Sequence, residues 1–301
     1  MPELPEVETI ARGLARRVTG DVIESVWLGQ KKEPLKSKAS EIAAVLEHSQ
    51  ISAVRRMGKH IVFDLARASN GGNQRHPRRK STTASDKPSA QADRSVRPTG
   101  EVTSQWIVHL GMTGRLQVCE PGAEIAKHTH AILKLNSRRE LRFVDPRRFG
   151  RLSVTADGDF DAVGVEPLEV DLERFVTLFR GRKTPIKSAL LNQKLLRGVG
   201  NIYADESLFR AGIRPQRKVA SINRQQLGKL LVAIKEVLRE AIKLGGSSIS
   251  DYVDADGEEG FFQLKHRVYG REAEPCVVCK KPIKRVVIAG RSSHFCPKCQ
   301  K

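Results

Sequence analysis

CVVCKKPIKRVVIAGRSSHFCPKC, residues 276–299, carries two C-x2-C pairs separated by sixteen residues. Two tight turns spaced in this way bring four thiolates onto one tetrahedral ion and leave no open position, the arrangement of a structural Zn2+ site. Paired cysteines also form disulfides, but four of the five cysteines crowd into this one stretch, and in a reducing compartment that argues for metal. The expected ligands are Cys276, Cys279, Cys296 and Cys299, which leave His294 no vacancy to fill. Cys119 stands apart. The residues between the pairs read as a β-hairpin with Arg291, beside Gly290, at its tip. An arginine there can reach phosphates or a groove; taken alone it is more often a solvated side chain.

Outward from this finger, GGSSISDYVDADGEEGF (245–261) is glycine-rich and polar and is expected to be a mobile loop. RQQLGKLLVAIKEVLREAIKL (224–244) places Leu227, Leu230, Leu231, Ile234, Val237, Leu238 and Ile242 at helical spacing, and Gly245-Gly246 ends it. VDLERFVTLFRGR, PIKSALLNQ and NIYADESLFRAG read as shorter helices. Before residue 160 the pattern is different. A helix over 5–18, with Pro5 in its first turn and Val7, Ile10, Ala11 and Leu14 on one face, precedes six or seven short β-type runs: DVIESVWL, ISAVRR, HIVFDL, QWIVHLG, RLQVC, AILKL and LRFV. The expected fold is α+β and multidomain: an amino-terminal helix plus β-sandwich over 1–160, a helical domain over 161–262 and a zinc finger over 263–301. Residues 68–103 interrupt the sandwich with a polar, basic, Ser/Pro/Gly-rich segment. It has too little apolar surface to offset its ordering entropy, so it is expected to be a disordered loop between two adjacent strands, either a tolerated insertion or a non-specific DNA tether.

Lys and Arg exceed Asp and Glu by 19 charges over 301 residues. That surplus points to a polyanionic partner, most plausibly nucleic acid. A membrane is not expected, since no apolar run approaches the ~18 residues a span needs. Acids rather than Lys/Arg precede the first apolar residues, unlike a secretory signal, so a cytoplasmic location is expected.

Four further stretches carry chemistry. MPELPEVETI crowds Glu3, Glu6 and Glu8 behind Pro2. It is either a capped helix start or, once Met1 is removed, a reactive secondary amine beside a carboxyl. LRGVGNIYADES (196–207) puts Asn201 after two glycines at a helix start, an anion-binding geometry or an ordinary cap. RRMGKH places Lys59 beside a glycine at a strand boundary. LGMTGR and DPRRFG set Met112, Arg147 and Phe149 in glycine-flanked turns, where apolar wedges beside arginine can fill an unstacked step; singly, Met112 and Phe149 read as core.

PELPEVET, MGKH, HLGMTG, DPRRFG, GVGNIYADESLFRAGI, VYGR and the four-cysteine end run from residue 2 to residue 300 in the order found in bacterial formamidopyrimidine-DNA glycosylases, and the chain resembles that family. The segment at 68–103 departs from the family's usual length. The resemblance implies a helix–two-turns–helix domain in the middle, one Zn2+ per chain, damaged double-stranded DNA as partner, no nucleotide cofactor, and a monomer. It implies excision of 8-oxoguanine and ring-opened purines, followed by β,δ-elimination. Pro2 would be the nucleophile, Glu3 the general acid, Lys59 a further catalytic group, and Glu6 a carboxylate that orients the terminus. Met112, Arg147 and Phe149 would fill the space left by the flipped nucleotide, with Arg147 facing the orphaned cytosine. Lys187, Asn201 and Arg291 match DNA-contacting positions, as do His109 and His128 more weakly, and Ser247 and Ser248 are candidates for contact with the damaged base. The physics favours the terminal amine: an α-amino group has a pKa of about 7.7–8.0 against about 10.4 for lysine, so far more of it is neutral at pH 7. The rival readings are an endonuclease VIII-like enzyme for oxidised pyrimidines, which resembles this chain less because that group carries PEGPE, and a non-catalytic zinc-finger DNA-binding protein, against which intact Pro2, Glu3 and Lys59 argue.

Overall fold

The computed structural model describes residues 1–31, 33–67, 103–248 and 259–301. Helix α1 (Leu4–Val18) is followed by β1 (Ile23–Leu28), α2 (Ala39–Leu46), β2 (Ser49–Met57), β3 (His60–Arg67), β4 (Ser104–His109), β5 (Arg115–Cys119), β6 (Thr129–Leu135), β7 (Glu140–Val144) and β8 (Arg151–Thr155). The strands form two four-stranded antiparallel sheets, β1-β6-β7-β5 and β2-β3-β4-β8. Alternating residues of both sheets (Phe63, Trp106 and Val108 from one; Ala131, Leu133 and Phe143 from the other) bury one shared core, so the expected sandwich is present.

Two elements differ from expectation. Strand β8 follows directly on DPRRFG and completes the second sheet, although RLSVT alternates too weakly to stand out in sequence. Helix α2 packs Ile42 and Leu46 on the core from a stretch whose surrounding Lys and Ser mask the pattern. The segment expected as a disordered loop lies outside the described residues apart from Thr103. The strands on either side of it, β3 and β4, are hydrogen-bonded neighbours, with Leu65 opposite Ser104.

The second half is helical: α3 (Leu172–Phe179), α4 (Ile186–Leu191), α5 (Asn201–Ala211) and α6 (Arg224–Lys243) surround a second apolar core. Helix α6 starts on a cap, the Asn223 side chain accepting from the Gln226 amide, and α5 ends on Gly212 in the left-handed region, φ +70°. Strands β9 (Lys284–Ile288) and β10 (Arg291–Phe295) form the closing hairpin.

Helix α1 belongs to both cores. Leu4 packs into the helical core, whereas Val7, Ile10, Ala11 and Leu14 pack into the sandwich. Buried Arg56 joins the halves by polar contacts, its Nε meeting Glu8 at 2.6 Å and its two terminal nitrogens meeting Glu166 at 2.9 Å each. The first turn of α1 is thereby fixed at the seam, facing the start of α5.

Candidate active site

The amino-terminal acids divide the work of a cap. Glu6 Oε2 accepts the Glu3 amide at 2.8 Å, closing the helix start as an ordinary cap would. Its other oxygen accepts the Ser247 amide at 2.8 Å and the Tyr203 hydroxyl, so one buried carboxylate ties together α1, α5 and the segment after α6. Glu3 also reaches beyond its own helix: its Oε1 accepts the Ile202 amide at 3.2 Å, in the first turn of α5. The anion-binding helix start read in GVGNIYADES is thus filled from within the chain, where the helix dipole favours a carboxylate. Asn201 is the first helical residue and Gly200 occupies the cap. The glycines make this approach feasible. A Cβ on Gly200 would lie 2.3 Å from Glu3 Cδ, and Gly198, at φ +90°, brings its carbonyl to the Leu4 amide at 3.0 Å.

Burial raises the Glu3 carboxyl from 4.5 to about 7; the nearby Glu6 adds to the rise, while the Lys59 ammonium and the Ile202 amide oppose it. Glu3 Oε2 is buried with no hydrogen-bond partner among the described residues. A carboxyl so placed holds a proton near neutral pH and can give it up.

Glu3 forms part of the wall of a cleft of about 460 Å³ whose lining includes Met1, Lys59, Met112, Asn201, Tyr269 and Arg291. Lys59 sits in the β2–β3 turn, which Gly58 closes at φ +61°. Burial draws its ammonium below the ordinary lysine range, with Glu3 and Glu6 opposing and Arg291 assisting. Arg291 opens β10 across the Ala289-Gly290 turn, at the hairpin tip as expected. Pro2 is half-buried beside Glu3, and Met1 extends into the cleft.

Met112 and Phe149 are exposed at 40 % and 47 %, so they are loop tips rather than core, and the Arg147 guanidinium lies 5.1 Å from the Phe149 ring centroid. Sequence reasoning missed what holds these tips together. Asp145 is fully buried and accepts from the Thr113 hydroxyl at 2.6 Å and the Gly150 amide at 2.7 Å, binding both loops to one carboxylate. Its only sequence signal was the aspartate of DPRRFG, beside more conspicuous arginines. Gly111 completes the contact, since a Cβ there would meet the Phe149 carbonyl carbon at 2.5 Å.

Several expected contacts lie elsewhere. Lys187 is fully buried: its Nζ pairs with Asp205 at 2.7 Å and donates to the Ser292 carbonyl at 2.6 Å, so it cannot reach a phosphate as expected. The exposed cations just before it in sequence are Arg182 and Lys183. Ser247 is buried, its hydroxyl 3.2 Å from His266 Nε2, and Ser248 bonds Gln263 and Gly260; both serve the base of the loop rather than the cleft. Residues 249–258, the rest of that expected loop, lie outside the described residues. His109 accepts the Gly111 amide on Nδ1 at 3.1 Å and lines a separate hollow with Lys36, His60, Arg151 and Phe160. Burial, aided by His60 and Lys59, lowers it to about 4, so it is neutral at pH 7. His128 is exposed at φ +70°, its carbonyl accepting the Asp145 amide, and is not part of the cleft lining.

The Sγ atoms of Cys276, Cys279, Cys296 and Cys299 all lie within 4.8 Å of one another, with pairs at 3.3 and 3.9 Å. A tetrahedral Zn2+ with bonds of about 2.3 Å requires sulfurs roughly 3.8 Å apart, so the four thiolates fit the ion. His294 is not a ligand; its Nδ1 faces Asp205 at 3.3 Å. Asp205 and Glu206 of the ADES stretch were also missed from sequence. Glu206 accepts the amides of Arg267, Val268 and Tyr269 at 2.9–3.0 Å and with Asp205 docks the finger onto α5.

Comparison with known proteins gives one answer along the whole chain. Residues 1–152 match the formamidopyrimidine-DNA glycosylase N-terminal domain, 163–253 the formamidopyrimidine-DNA glycosylase H2TH domain, and 273–301 a zinc finger found in FPG and IleRS. A formamidopyrimidine-DNA glycosylase from Solibacter usitatus is 43 % identical over 307 positions covering all of both chains. Among solved structures, the MutM (FPG) protein of Thermus thermophilus is 37 % identical with TM-score 0.78, the match covering 99 % of this chain and 98 % of that one. The Lactococcus lactis Fpg, solved as a complex with an abasic site containing DNA, is 30 % identical with TM-score 0.82, the match covering 99 % of each chain. No helix among the described residues is long and apolar enough to cross a membrane.

Proposed function

The chain belongs to the formamidopyrimidine-DNA glycosylase family, and from that premise we propose that it excises oxidised purines, 8-oxoguanine and formamidopyrimidines, from duplex DNA and nicks the strand with the same site. The observation that carries this reading is the buried Glu3 carboxyl, protonated near neutral pH, facing a cleft that also holds Lys59 and Arg291. An uncharged acid among cations suits a polyanionic substrate whose sugar oxygen needs a proton.

Removal of Met1 bares the Pro2 nitrogen beside Glu3. The target nucleotide leaves the stack so that its C1′ can be reached, while Met112, Arg147 and Phe149 take its place in the duplex. The Pro2 nitrogen bonds to C1′ and gives up its proton, and the glycosidic bond breaks with its electron pair leaving on the base, which takes that proton up. Glu3 then gives its proton to O4′ as the C1′–O4′ bond opens, and the nitrogen lone pair forms the iminium. The iminium acidifies C2′–H. Loss of that proton expels the 3′-phosphate, and a second elimination across C4′ expels the 5′-phosphate, so no phosphodiester is hydrolysed. Glu6 holds the Glu3 amide and hence the terminus. Lys59, Asn201 and Arg291 receive the phosphates around the flipped nucleotide. The four cysteines hold a structural Zn2+ that keeps the hairpin folded. One nucleotide is handled at a time, which a monomer accomplishes, and the enzyme works on DNA in the bacterial cytoplasm.

The test is a duplex with 8-oxoguanine opposite cytosine, incubated with the protein and sodium borohydride. A covalent protein–DNA band that mass spectrometry maps to Pro2 is the expected result. Cleavage with a crosslink on a lysine removes Pro2 from its role; trapping on a thymine glycol duplex in preference turns the reading to oxidised pyrimidines.

A further inference from the structure

Three polar contacts converge on the inner strand of the finger hairpin. From α4, Lys187 Nζ donates to the Ser292 carbonyl at 2.6 Å and pairs with Asp205 Oδ1 at 2.7 Å. From α5, Asp205 Oδ2 accepts the His294 amide at 2.9 Å. One turn earlier on α5, Asn201 Nδ2 reaches the Ser292 hydroxyl at 3.4 Å. Lys187 and Asp205 are both wholly excluded from solvent.

The Ser292 carbonyl and the His294 amide project from the same edge of β10, because strand backbone groups alternate between the two edges with a period of two. One ammonium and one carboxylate therefore pin that strand at two consecutive points. The strand cannot tilt or slide without stripping these hydrogen bonds from a buried ion pair, which low dielectric makes costly. Apolar packing does little of this job. The finger's small core is Val268, Cys276, Ile283 and Cys296 with Phe209 of α5, and between residues 284 and 294 the one buried apolar side chain is Ile288, outside that cluster. The cysteine end of the hairpin is thus held by apolar contact and would be held by the Zn2+ its thiolates fit, and the tip end chiefly by hydrogen bonds to the ion pair. Arg291, which lines the cleft, immediately precedes Ser292.

We infer that Lys187 is a positioning residue: clamped between Asp205 and the Ser292 carbonyl, it holds the hairpin tip against α4 and α5 and so sets where Arg291 stands over the cleft. The inference rests on the reading of Arg291 as a DNA contact. It also replaces a direct role for Lys187 on phosphate with an indirect one.

The test uses the zinc-loaded full chain carrying Lys187→Met and Asp205→Asn together, a pair that leaves no unpaired buried charge and keeps an oxygen for the His294 amide. Four readouts are taken: zinc content, hydrogen–deuterium exchange over residues 284–295, affinity for a duplex with a tetrahydrofuran abasic analogue, and the same affinity with Arg291→Ala added. The expected result is one zinc per chain, exchange in β10 at least tenfold faster, and affinity about tenfold weaker. Adding Arg291→Ala is then expected to leave affinity within twofold of Arg291→Ala alone, because the clamp acts through that arginine. Unchanged exchange overturns the clamp. Losses that multiply in the combined variant overturn the indirect role, since Lys187 would then act independently of Arg291. Native affinity in Arg291→Ala alone sinks Arg291 as a DNA contact, while exchange still decides the clamp. The single variant Asp205→Asn is read in the same way, so the inference stays decidable should the double variant fail to load zinc.

Discussion

Replacing Glu3 by glutamine interrogates the centre of the site in a measurement that needs no DNA. In the folded protein burial raises the Glu3 carboxyl from 4.5 to about 7, and unfolding restores the ordinary value. Across that window the folded state keeps a proton that the unfolded chain releases. The group's contribution to stability is therefore fully present below about pH 4.5 and is lost as pH rises through about 7. At about 1.4 kcal/mol per pKa unit, the shift withdraws about 3 kcal/mol by pH 8.5. Glutamine keeps the shape and one oxygen for the Ile202 amide but never ionises, so it escapes that loss. Urea unfolding of both proteins at pH 4.5 and at pH 8.5 is expected to show Glu3→Gln gaining about 3 kcal/mol on the native chain between the two conditions. A difference that stays constant within about 1 kcal/mol would mean that Glu3 ionises as in water, and the argument for a neutral acid at pH 7 would fall with it. The same variant is expected to bind a lesion duplex and not excise the base; full excision removes Glu3 from the general-acid role.

Gly200→Ala tests the same carboxyl sterically. The backbone there is extended, at φ −130°, so alanine is conformationally tolerated, but its Cβ would lie 2.3 Å from Glu3 Cδ and 2.4 Å from Oε1. Single-turnover excision is expected to fall at least tenfold in a folded protein, and native rates would show that Glu3 can do its work from another position. Arg56→Met tests the seam: it leaves the largely buried carboxylates of Glu8 and Glu166 without their shared partner. A loss of about 3–5 kcal/mol is expected in chemical denaturation, and one below about 1 kcal/mol would mean that the halves hold together without it.

What was legible in the sequence follows from how local each signal is. The zinc ligands are spaced by two short turns, so their geometry is set within a few residues, and the four Sγ atoms do come together. The long helix α6 and most sandwich strands were readable because burial imposes a period on consecutive side chains. Strand β8 was not, because half of RLSVT is polar or small and its pairing with β4 is supplied from elsewhere in the chain. Helix α2 was not, because eight residues give the pattern barely two turns. Met112 and Phe149, which singly read as core, are exposed tips as their flanking glycines and arginines suggest, but Asp145, which fastens them, is a single carboxylate whose partners lie in two different loops.

The sequence by itself determined the three-part organisation, the four-thiolate site, the cationic surplus and the residue types that crowd the amino terminus, since each of these is carried by composition or by neighbours along the chain. Only the tertiary structure decided what those residues face. A lysine reads as a phosphate ligand until its ammonium is found between Asp205 and a carbonyl of the hairpin, and two serines read as lesion contacts until they are seen bonded to the base of their own loop. Glu3 and Glu6 stand three residues apart at one helix start, yet burial leaves Glu3 a proton to donate against the pull of the Lys59 ammonium and the distant Ile202 amide, while Glu6 holds three hydrogen bonds, two of them from groups about 200 residues away or more. The charge state of a carboxyl depends on the dielectric and the charges around it, and those are assembled from distant parts of the chain.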